Sequence, residues 1–198
     1  MAYESFTLKR LETAFGLHIA QSEDDYGAIA PVAPGAFLQT AVARGRRLVV
    51  GKTSEKARSE FLVAPVLMEV CEARDRQISL FSGVKFDVDK SAGLFGYCDF
   101  LVARDPLVDA IRAPVLFVTE AKKEDLNAGV PQCIAEMVAA HRFNEREGTP
   151  IATVYGAVTD GTRWRFLRLE SPAVTIDLRE YSLPELSQIV GILVYMTL

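Results

Sequence analysis

The chain predicts an α/β fold, a single domain with a mixed central sheet flanked by helices. Three observations carry this. Helical apolar periodicity and short β-rich runs follow one another in the order α-α-α-β-β-β-β-α-β-β-β-α. No internal repeat, low-complexity segment or linker divides the 198 residues, a length that suits one domain with a full core. The composition, 49% hydrophobic and 24% charged, is that of a globular protein.

Taken in order, Phe6–Phe15 has a helical apolar pattern and ends before Gly16. The segment Gln21–Gly35 is acidic, then rich in Pro and Gly, and reads as a loop. Ala36–Val50 predicts a second helix with the basic run Arg44–Arg47 inside it. Thr53 or Ser54 caps a third helix that runs to about Arg74. Glu55 falls in its first turn, where the dipole favours an acid, and Pro65 predicts a kink. ISLFSG and VKFDVD predict two strands around Gly83, and DKSAGLFG a turn. FGYCDFLVA and VLFVTEA are strands. Asn127–Gly129 reads as a break, and Pro131 suits the first turn of a helix reaching about Glu147. Its apolar stripe is Val130, Cys133, Ile134, Met137, Val138 and His141. IATVYGAVT is a strand, Asp160-Gly161 predicts a hairpin into RWRFLRLE, VTIDL is a further strand, and Pro184 opens the last helix.

Several function classes are set aside by what the chain contains. A net charge of −4 gives no global attraction for nucleic acid, although a local basic groove or bound metal would not depend on it. Cys71, Cys98 and Cys133 are far apart and form no CxxC pair, so they read as reduced buried thiols rather than zinc ligands. GxSxG, P-loop and dinucleotide-binding fingerprints do not occur, and EMVAAH lacks metalloprotease spacing. His141, on an apolar stripe, reads as a core histidine. The start MAYESFTLKRLE has early acids and no apolar run, so it does not read as a signal peptide, and the expected location is the cytoplasm. The apolar run Ile189–Met196 is too short to span a bilayer, which takes roughly 20 residues. It predicts a helix buried against the domain or in a homodimer contact.

The chemistry concentrates in VLFVTEAKKED. A strand that begins apolar on both faces ends with Glu120 and Lys122. Alternation points both the same way as Leu116 and Val118. Asp99, in GYCDF, lies near the end of the preceding strand, and pairing would bring it close to Glu120. Two carboxylates on an apolar floor repel, so that one stays protonated unless a divalent cation joins them. Mg²⁺ favours one or two carboxylates and keeps several waters. It polarises phosphoryl oxygens and acidifies a bound water. Lys122 would face the same site and stabilise charge on a reacting phosphate. The plain alternative is a surface ion pair at a strand end, worth ~0–1 kcal/mol. Asp87 and Asp89 share a face and rival Asp99, but DVDK leads into a turn.

Asp99 followed by Glu120-Ala121-Lys122, behind a helix carrying Glu60 and before a helix opening with Gln132, resembles the PD-(D/E)XK nuclease superfamily. SEFLVAPVL, GYCDFLV, VLFVTEAKKED and QCIAEM are similar to the nuclease domain at the N-terminus of type I restriction motor subunits. The whole chain is also similar to short stand-alone bacterial members of the superfamily. The resemblance implies a restriction-endonuclease-like αβββαβ core over 53–160, with a helical extension over 1–52 and C-terminal strands and a helix over 161–198. It implies Asp99, Glu120 and the carbonyl of Ala121 as ligands of Mg²⁺ or Mn²⁺. Lys122 would then be the catalytic lysine, Glu60 the auxiliary acid and Gln132 the glutamine of recombination-type members. Two positions depart from the pattern: Cys98 stands where a proline precedes the aspartate, and Glu136 where a tyrosine follows the glutamine. Glu69 competes with Glu60 for the auxiliary role. The two lie on opposite faces of their helix, so at most one serves. Gln132 equally suits a hydrogen bond at the helix start.

The expected activity is metal-dependent hydrolysis of DNA phosphodiester bonds. The alternatives are a non-catalytic nucleic-acid-binding or assembly module of the same fold, and a regulatory metal-binding protein that dimerises through its last helix. Arg44, Arg46, Arg47 and Lys52 form one basic stretch suited to phosphates, and Arg163, Arg165 and Arg168 around Trp164 another. Solvated faces would explain both as well. No helicase or methyltransferase accompanies these motifs, so a restriction or repair role implies partners.

Overall fold

The computed structural model describes residues 2–49, 54–107, 109–122 and 125–198. The expected boundary at 52/53, the Thr53 cap, Lys52 and the end of the second helix at Val50 lie outside these residues. Helix α1 (Leu8–Phe15) is capped by Thr7, whose hydroxyl accepts from Arg10 N–H, and ends at Gly16 in the left-handed region. Strand β1 (His18–Ser22) follows, then α2 (Ala36–Leu48), α3 (Glu55–Arg58) and α4 (Ala64–Ala73). Strands β2 (Ser79–Lys85), β3 (Tyr97–Ala103) and β4 (Val115–Ala121) lead into α5 (Leu126–Arg146). After it come β5 (Val154–Thr159), β6 (Arg163–Glu170), β7 (Ala173–Asp177), β8 (Tyr181–Ser182) and α6 (Leu186–Tyr195).

All eight strands form one mixed sheet in the order β1-β7-β6-β5-β4-β3-β2, with β8 on the start of β6. The pairs β4/β5 and β1/β7 are parallel and the others antiparallel. Two apolar clusters cover the two faces. One joins α1 and α5 to Leu101, Val118 and Val158. The other joins α2, α4 and α6 to Phe100, Val102, Phe117 and Trp164. Helix α6 spends its apolar residues inside the chain: Ile189, Val190, Ile192 and Leu193 are all buried, while Tyr195 and Leu198 remain exposed. Among the described residues no helix is long and apolar enough to cross a membrane.

Four expectations are corrected. The loop at Gln21–Gly35 starts too early, because its first residues belong to β1, which pairs with β7 at the sheet edge. β1 is mostly exposed, so HIAQS carries no apolar alternation to announce it. The two strands around Gly83 are one, because Gly83 takes φ 60° and the ladder passes through it unshifted. Asn127–Gly129 is no break. Asp125 caps α5, accepting from Asn127 N–H, and Pro131 sits inside the helix rather than in its first turn. Fourth, Leu116 does not share the face of Val118. Register slips between Val102/Ala103 and Val115/Phe117, and this bulge puts Leu116 beside Phe117 in the opposite cluster.

Where a kink is expected at Pro65, the helix changes to a π segment, Ser59–Val63, between α3 and α4. Proline removes the bond to the carbonyl four residues back, that of Phe61. Gly45 of α2 packs against that carbonyl, where a side chain would collide with it.

Candidate active site

The ladder between β3 and β4 pairs Phe100 with Thr119 and then stops. Continued by one step, the register sets Asp99 opposite Glu120. There Asp99 Oδ2, instead of a backbone carbonyl, accepts from Ala121 N–H at 2.8 Å. On the other side of Ala121, Lys122 N–H donates to Thr159 O at 2.7 Å, which keeps the β4 end tied to β5. The carboxylate and the ammonium are thus fixed by backbone bonds on both edges of β4.

Asp99 and Ala121 open onto a cleft of about 290 Å³, lined also by Glu55, Lys56, Ser59, Glu60, Ser82 and Gly83. The turn from α3 into the π segment forms one wall. Glu60 therefore reaches the cleft, but its carboxylate is 52% exposed and pairs with Lys56 at 3.4 Å. Glu69 does not reach it: its carboxylate accepts from Gly35 N–H and docks the N-terminus of α2. That settles which of the two acids borders the cleft. Glu55 lies near enough to bear on the charges of both Asp99 and Lys122. As sequence it reads only as a helix-start acid.

Glu120 lies under α5, next to Glu136, and is 2% exposed. Its Oε1 is 2.6 Å from Lys122 Nζ. Lys122 Nζ in turn donates to Gln132 Oε1 at 3.3 Å, and Gln132 Nε2 donates to Glu136 Oε1 at 3.1 Å. Glu136 is completely buried. Glu120 Oε2 and Glu136 Oε2 are buried without a hydrogen-bond partner among the described residues, and the two carboxyl groups act on each other's charge. Gly129, in the first turns of α5, makes room for this arrangement: a Cβ there would lie 2.9 Å from Lys122 Cγ and 2.7 Å from Val158 Cγ1.

The electrostatics follow from burial. Desolvation raises the Asp99 pKa, against the Ala121 N–H and the Lys122 charge. Desolvation, then repulsion from Asp99, pushes Glu120 up to about 8. Desolvation, then the Glu120 charge, raises Glu136 as well. Burial pushes Lys122 down, but the charge and hydrogen bond of Glu120, with the charges of Glu55 and Asp99, together outweigh it and the net shift is upward. Lys122 favours the Glu120 carboxylate, but burial and the neighbouring acids outweigh it, and Glu136 has no cation among the described residues to offset its own burial.

Among the described residues no group of three His, Cys, Asp or Glu side chains converges as a ready metal cage. The smaller donor set still fits a hard divalent ion: carboxylate oxygens only, strained by mutual repulsion, one of them buried without an ordinary donor. His141 is half-buried and lies 3.6 Å from Glu145, away from this cluster. Asp87 and Asp89 are committed elsewhere, to Lys85 and Lys90 and to Arg142 respectively. The basic stretch around Trp164 is spent inside the chain. Arg163 pairs with Asp160 and Glu180, Arg165 with Glu180, and Arg168 with Asp25 and Glu170. Arg44, Arg46 and Arg47 are exposed and have no ion-pair partner among the described residues.

Sequence reasoning brought Asp99, Glu120, Lys122 and Gln132 to one place and missed Glu136. Its signal was present: Gly129, Gln132 and Glu136 recur at helical spacing on one side of α5, and a glutamate there interrupts an otherwise apolar face. No protein-family model matches the chain, and no curated protein matches it either.

Proposed function

We propose that the protein is a metal-dependent nuclease with a restriction-endonuclease-like core, hydrolysing DNA phosphodiester bonds. The observation that carries this reading is the cluster at the ends of β3 and β4: Asp99 tied to Ala121 N–H, and Glu120 paired with Lys122. The run of α4, β2, β3, β4, α5 and β5 agrees with the αβββαβ order. Mg²⁺ or Mn²⁺ held by Asp99, Glu120 and the Ala121 carbonyl would polarise a phosphoryl oxygen and acidify a water.

The chain's own groups divide the remaining work. Water attacks phosphorus, the new O–P bond forms, the ester P–O bond breaks, and a phosphate monoester and a hydroxyl leave. Lys122, a cation by virtue of its partner Glu120, stabilises negative charge growing on the phosphate oxygens. Its raised pKa makes it a poor proton acceptor at neutral pH. Gln132 holds the ammonium by its amide oxygen. Glu60 and Glu55 border the approach to the cleft.

A second reading, a non-catalytic binding module, is favoured by one observation. Glu120 Oε1 is engaged by Lys122 and Glu136 crowds the same carboxyl group, so a metal must compete with existing neighbours. The deciding experiment incubates supercoiled plasmid, linear duplex and single-stranded DNA with Mg²⁺ or Mn²⁺, beside EDTA and Lys122→Ala controls. The nuclease reading expects metal-dependent cutting that falls about 10²- to 10³-fold in Lys122→Ala, with the fold kept. No cutting on any substrate, with no heat of metal binding, supports the module instead.

A further inference from the structure

We propose that Glu136 is a positioning residue for Lys122, acting through the side-chain amide of Gln132. The consequence for catalysis rests on the nuclease reading; the positioning does not.

A glutamine amide has a donor end and an acceptor end, and it can be turned end for end. Lys122 needs the acceptor end, because an ammonium only donates. Glu136 Oε1 takes the donor end, Gln132 Nε2, at 3.1 Å, and the oxygen is thereby left to face Lys122 Nζ at 3.3 Å. With Glu136 Oε1 accepting at one end and Lys122 donating at the other, this orientation of the amide satisfies both partners. With no acceptor at 136 the amide could turn, and its NH₂ would then oppose the ammonium. Lys122 would keep Glu120 at 2.6 Å but lose the contact that fixes its direction.

The placement argues for use rather than accident. Glu136 lies wholly buried in the middle of α5, among Ala135, Met137 and Ala139, which are buried and apolar. A carboxyl group is costly to bury there, and an apolar residue would suit the position better. No lysine or arginine pairs with it among the described residues. What the carboxyl group supplies is an acceptor for Gln132 and a neighbour for the otherwise orphaned Glu120 Oε2.

The test uses the whole chain and two independent readouts. The first is NMR of the lysine Nζ protons, with Lys122→Ala assigning the signal. Wild type should show a slowly exchanging Lys122 ammonium, retained in Glu136→Gln, whose amide oxygen still accepts, and lost in Gln132→Ala and Glu136→Ala. The second is cleavage. Glu136→Ala should lower kcat about 10- to 100-fold, the range for groups that orient a reacting residue, with KM for DNA unchanged. Gln132→Ala combined with Glu136→Ala should lose no more than Gln132→Ala alone, because the two act in series. Glu136→Gln should stay near wild type. The proposal is overturned by a Lys122 signal that is absent in wild type or unmoved in Glu136→Ala. It is also overturned by losses that multiply in the double variant, or by Glu136→Gln failing as badly as Glu136→Ala. If wild type cuts no DNA, the nuclease reading falls, and the ammonium signal alone decides whether Glu136 positions Lys122.

Discussion

Glu120 is the residue on which the site's electrostatics turn. It is buried, faces Asp99 and Glu136, and has one cation, Lys122, to offset them. Its folded pKa is raised, to about 8 from an ordinary 4.5, so between those values the folded chain holds protons that the unfolded chain has released. Stability therefore falls as pH rises through that window and is fully present below it. The raised pKa values of Asp99 and Glu136 act in the same direction. Acids with lowered values elsewhere, such as Asp160, act in the opposite sense at lower pH, so the quantity to read is a difference. In EDTA, the Tm of Glu120→Gln minus that of wild type should grow from about pH 5 to about pH 8. Adding Mg²⁺ or Mn²⁺ at the upper end should raise the wild-type Tm alone, because only the carboxylate form binds the ion. A difference that stays flat across this window would mean that Glu120 is ionised throughout and that the acids do not oppose one another.

At the scale of elements, the site depends on how closely α5 approaches the end of β4. Helix propensity alone says that Gly129→Ala should stabilise α5 by about 0.5–1 kcal/mol. The packing reverses the sign. A methyl group would meet Val158 Cγ1 at 2.7 Å and Lys122 Cγ at 2.9 Å, so either the helix retreats or the lysine moves. Gly129→Ala is expected to lower Tm by several degrees, as overpacking by about 1–3 kcal/mol does, and to lower cleavage by at least as much as Gln132→Ala. An unchanged Tm with full activity would show that the two elements have slack. The same glycine shows what the sequence could and could not disclose. Asp99, Glu120 and Lys122 were legible because strand alternation and neighbouring strands fix where such residues point. Gln132 was legible as a residue of the helix after β4, though it lies in the second turn of α5 and not at its start. Gly129 was read as a break because local propensity disfavours it in a helix, and only the contact with Lys122 and Val158 explains its presence there. The face of Leu116 was misread because a bulge in the β3/β4 pairing breaks the alternation. Glu136 was missed because a single acid in an apolar stripe looks like solvent exposure until the helix is docked. β1 left no trace because an exposed edge strand needs no apolar pattern.

For the whole molecule, the question is how a chain of net charge −4 would hold a polyanion. The two basic stretches, alike as sequence, have separate fates. Arg165 is 8% exposed and bonded to Glu180 and Asn127 at 2.6 and 2.7 Å, within a web that includes Arg163, Asp160, Arg179, Asp24 and Glu185. Those arginines hold β6 to the chain around β8 and have little charge to spare. Arg44, Arg46 and Arg47 are exposed at the end of α2, and Gly45 between them seats that end against Phe61, next to Glu60 on the cleft wall. Phosphates on a strand leading to the cleft would meet these three. Each phosphate contact contributes about 0.9 to the slope of log K against log salt. Replacing Arg44, Arg46 and Arg47 together by Ala should reduce that slope by about 2–3, with Tm little changed. Arg165→Ala should do the opposite, lowering Tm because it strands the Glu180 and Asn127 partners, and leaving the slope as it was. Fluorescence anisotropy of labelled duplex in EDTA, over a series of salt concentrations, reads binding without cutting. A slope that follows Arg165 instead would place the nucleic-acid face at β6 and β8, away from the cleft that holds Asp99.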